Sequence, residues 1–202
     1  MSSQPGKQNN LHGSAPDQCP LALLLVDVMN DFDYPGGDRL FENAQRIAEP
    51  IRKLKSRARD LGVPVIYVND NFGRWQSSFK EVVEGALRPE ARGRAFVEQL
   101  KPCPDDYFVL KPKHSGFYQS PLDVLLKHLG ATRVILTGLC TNSCILATAN
   151  DAYMRDLDLY VPQDCVAAQT HEDQEYSLHH MACMNKATTT PSTALDLNEL
   201  TR

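Results

Sequence analysis

Residues 21–28 read LALLLVDV, an unbroken apolar run that ends among acid and valine. A strand with one wet face alternates apolar and polar residues. A continuous run of this length instead predicts a strand covered on both faces, as in a parallel sheet. Downstream, Leu40, Ala44, Ile47, Ile51, Leu54, Ala58 and Leu61 recur at steps of three and four, which is one face of a helix. Pro50 interrupts that stripe and predicts a kink or two successive helices. Gly62 closes it, and VPVIYV (63–68) reads as a second buried strand. A long polar loop follows, then a short helix near 91–100, then a third strand in DYFVLKP (106–112). In SPLD (120–123), Ser120 reads as a cap, Pro121 as the first helical residue and Asp123 as the acid three places on. Leu122, Leu125, Leu126 and Leu129 form the stripe of that helix and Gly130 its stop. TRVILTG (132–138) and LDLYVP (157–162) are strands four and five, with a helix from Asn142 to about Asp156 between them. A helix over 172–184 and a weak sixth strand in KATTT (186–190) complete the pattern.

Strand alternating with helix implies parallel strands joined by right-handed crossovers. The expected fold is α/β, a three-layer, open doubly wound (Rossmann-like) sheet of six parallel strands with helices on both faces. Residues 1–19 are polar and rich in Ser, Gln, Asn, Gly and Pro, and read as a flexible tail ahead of a single domain over 20–202. Of the 202 residues, 42% are apolar and 23% charged, an ordinary globular balance. A net charge of −4 argues against a nucleic-acid surface. The longest apolar run, Leu21 to Val26, is far short of a membrane span and lacks the flanks of a secretion signal. The expectation is a cytoplasmic protein, with the six cysteines reduced rather than paired.

In open α/β sheets, ligands bind outside the carboxyl ends of the strands. Asp27 follows strand one, Lys111 ends strand three and Cys144 follows strand four. Topology therefore brings a carboxylate, an amine and a thiol to one edge. Taken singly, each has a plainer reading: an inert core thiol, a cap or ion-pair partner, a solvated surface amine. Together they suit attack on an amide-type carbonyl through a thioester. Asp27 would take the thiol proton and backbone N–H groups would hold the oxyanion. A helix start and an ammonium favour the thiolate, so Cys144 is expected to titrate below a free thiol.

Four strings carry a family resemblance: LLLVDVMNDF with DYPGG behind it, GVPVIYVNDNFGRW, VLKPKHSGFYQSPLD and TGLCTNSCILATANDAY. In their order and spacing they resemble the isochorismatase-like cysteine hydrolases over roughly residues 20–197. The resemblance implies an Asp–Lys–Cys triad at Asp27, Lys111 and Cys144. Lys113 is a competitor for the amine. It also implies a cis peptide between Leu139 and Cys140, and an oxyanion hole from the Cys140 and Cys144 N–H groups. Cys140 departs from the small alanine frequent there, and places a second thiol within reach of oxidation with Cys144. Nicotinamidases in this superfamily bind metal through Asp-x-His and a later His. Here Asp70 is present, but Phe72 and Gln76 occupy the imidazole positions, so no metal and no cofactor are expected.

The branch that remains hydrolyses C–N bonds of small amide, ureido or N-carbamoyl compounds without metal. Two alternatives stand beside it: a vinyl-ether hydrolase of the isochorismatase type, which does not use a cysteine, and a non-catalytic small-molecule-binding member. Phe32, Asn71, Arg74, Trp75 and Phe117, with Asn69, are the residues expected near the substrate. Arg74 suits a substrate carboxylate. Phe32 and Phe117 also suit a core, and Trp75 a subunit contact. His114 reads as a packing or hydrogen-bonded residue rather than a catalyst. Relatives imply a homo-oligomer, with a small-molecule substrate and neither nucleic acid nor membrane as partner.

Overall fold

The computed structural model describes residues 18–202. Strand β1 (Leu21–Val26) lies at the centre of the sheet. Strands β2 (Val65–Asp70) and β3 (Tyr107–Lys111) lie to one side of it, and β4 (Arg133–Leu139) to the other, all parallel. Strands β5 (Asp158–Tyr160) and β6 (Val166–Ala167) share one edge of β4. The first pairs with Arg133–Ile135, the second with Gly138 and Leu139. The expected six-stranded, doubly wound parallel sheet is what forms.

Alternate residues of β1 serve two separate cores, as the two-residue period of a strand requires. Leu21, Leu23 and Leu25 pack with Leu40, Ala44, Ile47, Ile51, Leu54 and Ala58 of helix α1 (Gly37–Asp60). Ala22, Leu24 and Val26 pack with Leu122, Leu126 and Leu129 of α4 (Leu122–Leu129), and with Ala149 and Ala152 of α5 (Leu146–Tyr153). Each buried leucine contributes about 2 kcal/mol of apolar transfer free energy, so the unbroken run anchors both layers.

Several local expectations are corrected. Helix α1 runs without interruption through Pro50, because Ile47, Ala48 and Ile51 on either side are buried against the sheet and hold both halves in line. The polar stretch after β2 contains helix α2 (Phe79–Ala86), ahead of α3 (Arg94–Gln99). The α2 start is a reciprocal cap: the Glu81 N–H donates to Ser78 Oγ (3.3 Å) and the Ser78 N–H to the Glu81 carboxylate (2.7 Å). Ser120 stands one place before the cap of α4, which is Pro121, and its hydroxyl accepts from the Leu122 N–H. Gly130 closes α4 in the left-handed conformation. KATTT makes only one bridge, Thr188 to Tyr160, and the sixth strand is instead the dipeptide Val166–Ala167. After it come α6 (His171–Met184) and α7 (Leu197–Leu200). Cys19, read as tail, is buried and its N–H donates to the Leu129 carbonyl at 3.0 Å. The rest of that tail, residues 1–17, lies outside the described residues.

Gly138 sets the approach of β4 to β1. Its φ is +111°, and a Cβ there would lie 2.1 Å from the Val26 carbonyl oxygen. No other residue fits, and the two strands therefore end side by side, with Asp27 and Cys140 next in their chains.

Candidate active site

Asp27 is the first residue beyond β1. Its N–H still donates to the Val68 carbonyl (3.0 Å), but its φ of 51° turns the chain out of the strand. A left-handed aspartate is a local cost that surrounding structure must hold in place. Its Oδ1 accepts from the Asp70 N–H at 2.7 Å, and its Oδ2 lies 3.0 Å from Lys111 Nζ. Lys111 ends β3 in register with Asp70 of β2 and is wholly buried (0% exposed). Its ammonium also meets Asp70 Oδ2 at 3.3 Å and Cys144 Sγ at 3.5 Å. Lys113, two residues on, is exposed.

Cys144 does not sit in an ordinary α-turn. Residues Thr141–Ile145 form a single π-turn that leads into α5. The Cys140 carbonyl accepts from Ser143 and Ile145, both at 3.1 Å, and passes over Cys144. Such turns carry one surplus residue and recur at functional sites. The Leu139–Cys140 peptide is cis. Thr148 ties the turn to the loop after β3: its hydroxyl donates to the Cys144 carbonyl (2.6 Å) and accepts from the Gly116 N–H (2.9 Å). On that loop His114 is exposed, with Nδ1 3.9 Å from Cys144 Sγ.

The electrostatics correct one expectation. Burial, with the neighbouring Asp27 carboxylate, pushes the Cys144 thiol up to about 12, against the downward pull of Lys111. The resting group is a neutral thiol rather than a low-pKa thiolate. Burial likewise raises Asp27 above the usual carboxylate range, although Lys111 opposes the rise, and this makes it a stronger base. Burial works against the Lys111 ammonium, but Asp27, Cys144 and Asp70 outweigh it and hold the amine cationic. Burial and Asp27 also push the Cys140 thiol up to about 12. All six cysteines are free thiols.

Beside this cluster lies a cleft of about 970 Å³, between the loop after β1 and the loop leading to α2. Asn71, Arg74 and Trp75 line it, together with Met29 and Tyr34. The cleft adjoins the Asp27, Lys111 and Cys144 side chains rather than containing them. Its link to them is Asn71, whose N–H donates to the Lys111 carbonyl at 3.0 Å. Trp75 is 80% exposed. Two expected lining residues are instead core. Phe32, at φ 60°, turns inward between Phe41 and Phe96, with ring centroids 5.3 and 5.8 Å away. Phe117 is buried beneath the Arg155 guanidinium, 4.6 Å from its ring centroid. Asn69 is structural as well: its amide donates to the Met29 carbonyl (3.0 Å).

Sequence reasoning missed one group. Asp70 was read only as the remnant of a metal set, yet it is a second carboxylate on Lys111. His114, for which packing and hydrogen bonding were both open, is exposed with Nδ1 3.9 Å from the sulfur. Phe72 is half exposed and Gln76 lines the cleft, and among the described residues no group of three or more His, Cys, Asp or Glu could hold a metal ion.

The isochorismatase domain model matches residues 21–192. An uncharacterized isochorismatase family protein of Bacillus subtilis is 39% identical over 160 residues, covering 79% of this chain and 87% of that protein. A ureidoacrylate amidohydrolase of Methylobacterium radiotolerans is 30% identical over 197 residues, covering 84% of this chain and 74% of its own. The crystal structure of an N-carbamoylsarcosine amidase from Thermoplasma acidophilum superposes with a TM-score of 0.66 at 27% identity, over 87% of this chain and 98% of that one. With a sheet of the same kind beneath it and a family match spanning most of its length, this chain belongs to the isochorismatase family.

Proposed function

We propose that the protein is a cysteine-dependent hydrolase of C–N bonds in a small amide, ureido or N-carbamoyl substrate, working through a thioester at Cys144. One observation carries the reading: the Lys111 ammonium stands 3.0 Å from Asp27 and 3.5 Å from Cys144 Sγ, joining an acid, a cation and a thiol in one buried contact set. The amidohydrolase and amidase among its relatives support the bond type.

In the first half-reaction Asp27 takes the thiol proton as Sγ bonds to the substrate carbonyl carbon. The raised pKa of Asp27 suits it to that task, and Lys111 offsets the negative charge passing from sulfur to carboxylate. The oxyanion is received by the N–H groups of Cys140 and Cys144. The C–N bond then breaks, its electron pair goes to nitrogen, and Asp27 returns the proton to it. Water hydrolyses the thioester, or thiocarbamate, and frees the thiol. Arg74, on the cleft wall, offers a fork to a substrate carboxylate, and Asn71 and Trp75 a polar and an aromatic contact. The same reading takes the working form as a cytoplasmic homo-oligomer without a cofactor. The observation that favours a subunit contact is Phe108, a large apolar side chain left 57% exposed on the edge strand β3.

The test is ammonia release from a panel of small amides, ureido acids and N-carbamoyl amino acids, with wild type and Cys144→Ala. Release that disappears in the variant supports the reading. With a vinyl ether added to the panel and its own product followed, hydrolysis that survives Cys144→Ala assigns the other chemistry, and no turnover of any substrate favours the binding reading.

A further inference from the structure

The thiol of Cys144 has two unlike sides. Lys111 and Asp27 lie on its buried side, 0% and 6% exposed. His114 lies on the other, exposed, with Nδ1 3.9 Å from Sγ. The imidazole is not on a free loop. Next to it the Ser115 hydroxyl donates to Asp151, and the Gly116 N–H donates to Thr148, whose own hydroxyl holds the Cys144 carbonyl. The loop bearing His114 and the turn bearing Cys144 are thus fastened to each other.

We infer that His114 is a further catalytic residue, the base of the second half-reaction. This rests on the thioester reading above. In that reading Asp27 completes its proton cycle in the first half: thiol to carboxylate, carboxylate to departing nitrogen. It is then a carboxylate again, held by Lys111 at 3.0 Å and by the Asp70 N–H at 2.7 Å beneath an acylated sulfur. The hydrolytic water arrives from the solvent side, where His114 stands. Its oxygen bonds to the acyl carbon and its proton goes to the imidazole. The C–S bond breaks with its electron pair going to sulfur. The imidazolium then passes its proton to Sγ across the 3.9 Å contact, which restores the neutral thiol that burial favours at rest. Two proton carriers on two sides of one sulfur thus serve two half-reactions.

The probe is p-nitrophenyl acetate, whose first product is coloured and whose acyl group can be weighed on the protein. His114→Gln should release one nitrophenolate per active site at the wild-type rate. Its steady rate should then fall roughly a hundredfold, the usual contribution of a positioned base. Intact mass should show an acetyl group retained on Cys144. Hydroxylamine, a nucleophile that needs no base, should restore turnover, and the melting temperature should stay at the wild-type value because the side chain is exposed. A wild-type steady rate in His114→Gln overturns the inference, as does equal slowing of burst and steady phases. If Cys144→Ala releases nitrophenolate as fast as wild type, the thioester reading itself fails and takes this inference with it.

Discussion

Asp70 and Lys111 are register partners across β2 and β3, and the Asp70 carboxylate lies 3.3 Å from the Lys111 ammonium. The buried cation therefore serves two carboxylates, since Asp27 stands 3.0 Å away. Burial disfavours the thiolate and the Asp27 carboxylate adds to that, while the Lys111 ammonium, shared between two carboxylates, pulls the other way; the thiol is pushed upward rather than downward.

The alkylation of Cys144 should reflect this. A group raised in the folded state stays protonated beyond the free-thiol value of about 8.5. We expect the iodoacetamide rate to keep climbing from pH 6 past 9 without levelling. The same group contributes stability that is fully present below the unfolded value and is lost as pH rises toward about 12. A rate profile with a midpoint below 8.5 would show that the thiolate is the resting form.

Lys111→Met should abolish turnover. It also leaves two carboxylates facing each other around an uncharged side chain, which costs about 3–5 kcal/mol as a broken buried pair. Lys113→Met, at an exposed position, should change stability by less than about 0.5 kcal/mol and leave turnover intact. Denaturant melts and ammonia assays on the two variants separate them. Loss of activity in Lys113→Met alone would move the amine to that position.

Arg74→Ala should weaken substrates that carry a carboxylate and spare neutral amides. A lost charge-assisted hydrogen bond of about 2 kcal/mol corresponds to a KM raised roughly thirtyfold. Parallel KM values for a ureido acid and its neutral amide analogue make the comparison. An equal effect on both would place Arg74 outside substrate recognition.

EDTA should leave turnover unchanged, because Phe72 and Gln76 have no imidazole to offer at the positions where metal-binding relatives carry one. Activity that falls on chelation and returns with zinc or iron would contradict this.

Much of the fold was legible because buried strands announce themselves. β1, β2 and β4 are apolar runs, and α1 carries a stripe of six apolar residues, Leu40 to Ala58, at helical spacing; the seventh of the series, Leu61, lies just past its end and is exposed. Helix α2 hides in polar sequence, yet Ser78 and Glu81 stand at capping-box spacing and were the available signal. Val166–Ala167 is too short for any period, so KATTT, with its β-branched threonines, attracted the assignment instead. At the site, strand ends nominate Asp27, Lys111 and Cys144, and those three side chains do meet. Asp70 was not legible as a lysine partner, because cross-strand register is a long-range fact. Phe32 takes the core place that stood as its alternative reading, and the acidity of Cys144 was misread because burial leaves no mark on the local string.

The π-turn at Thr141–Ile145 lets this scaffold lose its chemistry without losing its shape. One residue of a helix corresponds to about 100° of rotation. Deleting Asn142 would tighten the turn to the ordinary pitch and swing the sulfur off the Lys111 ammonium, while α5 and the cores on both faces of the sheet keep their residues. Activity and foldability are thus separately mutable here.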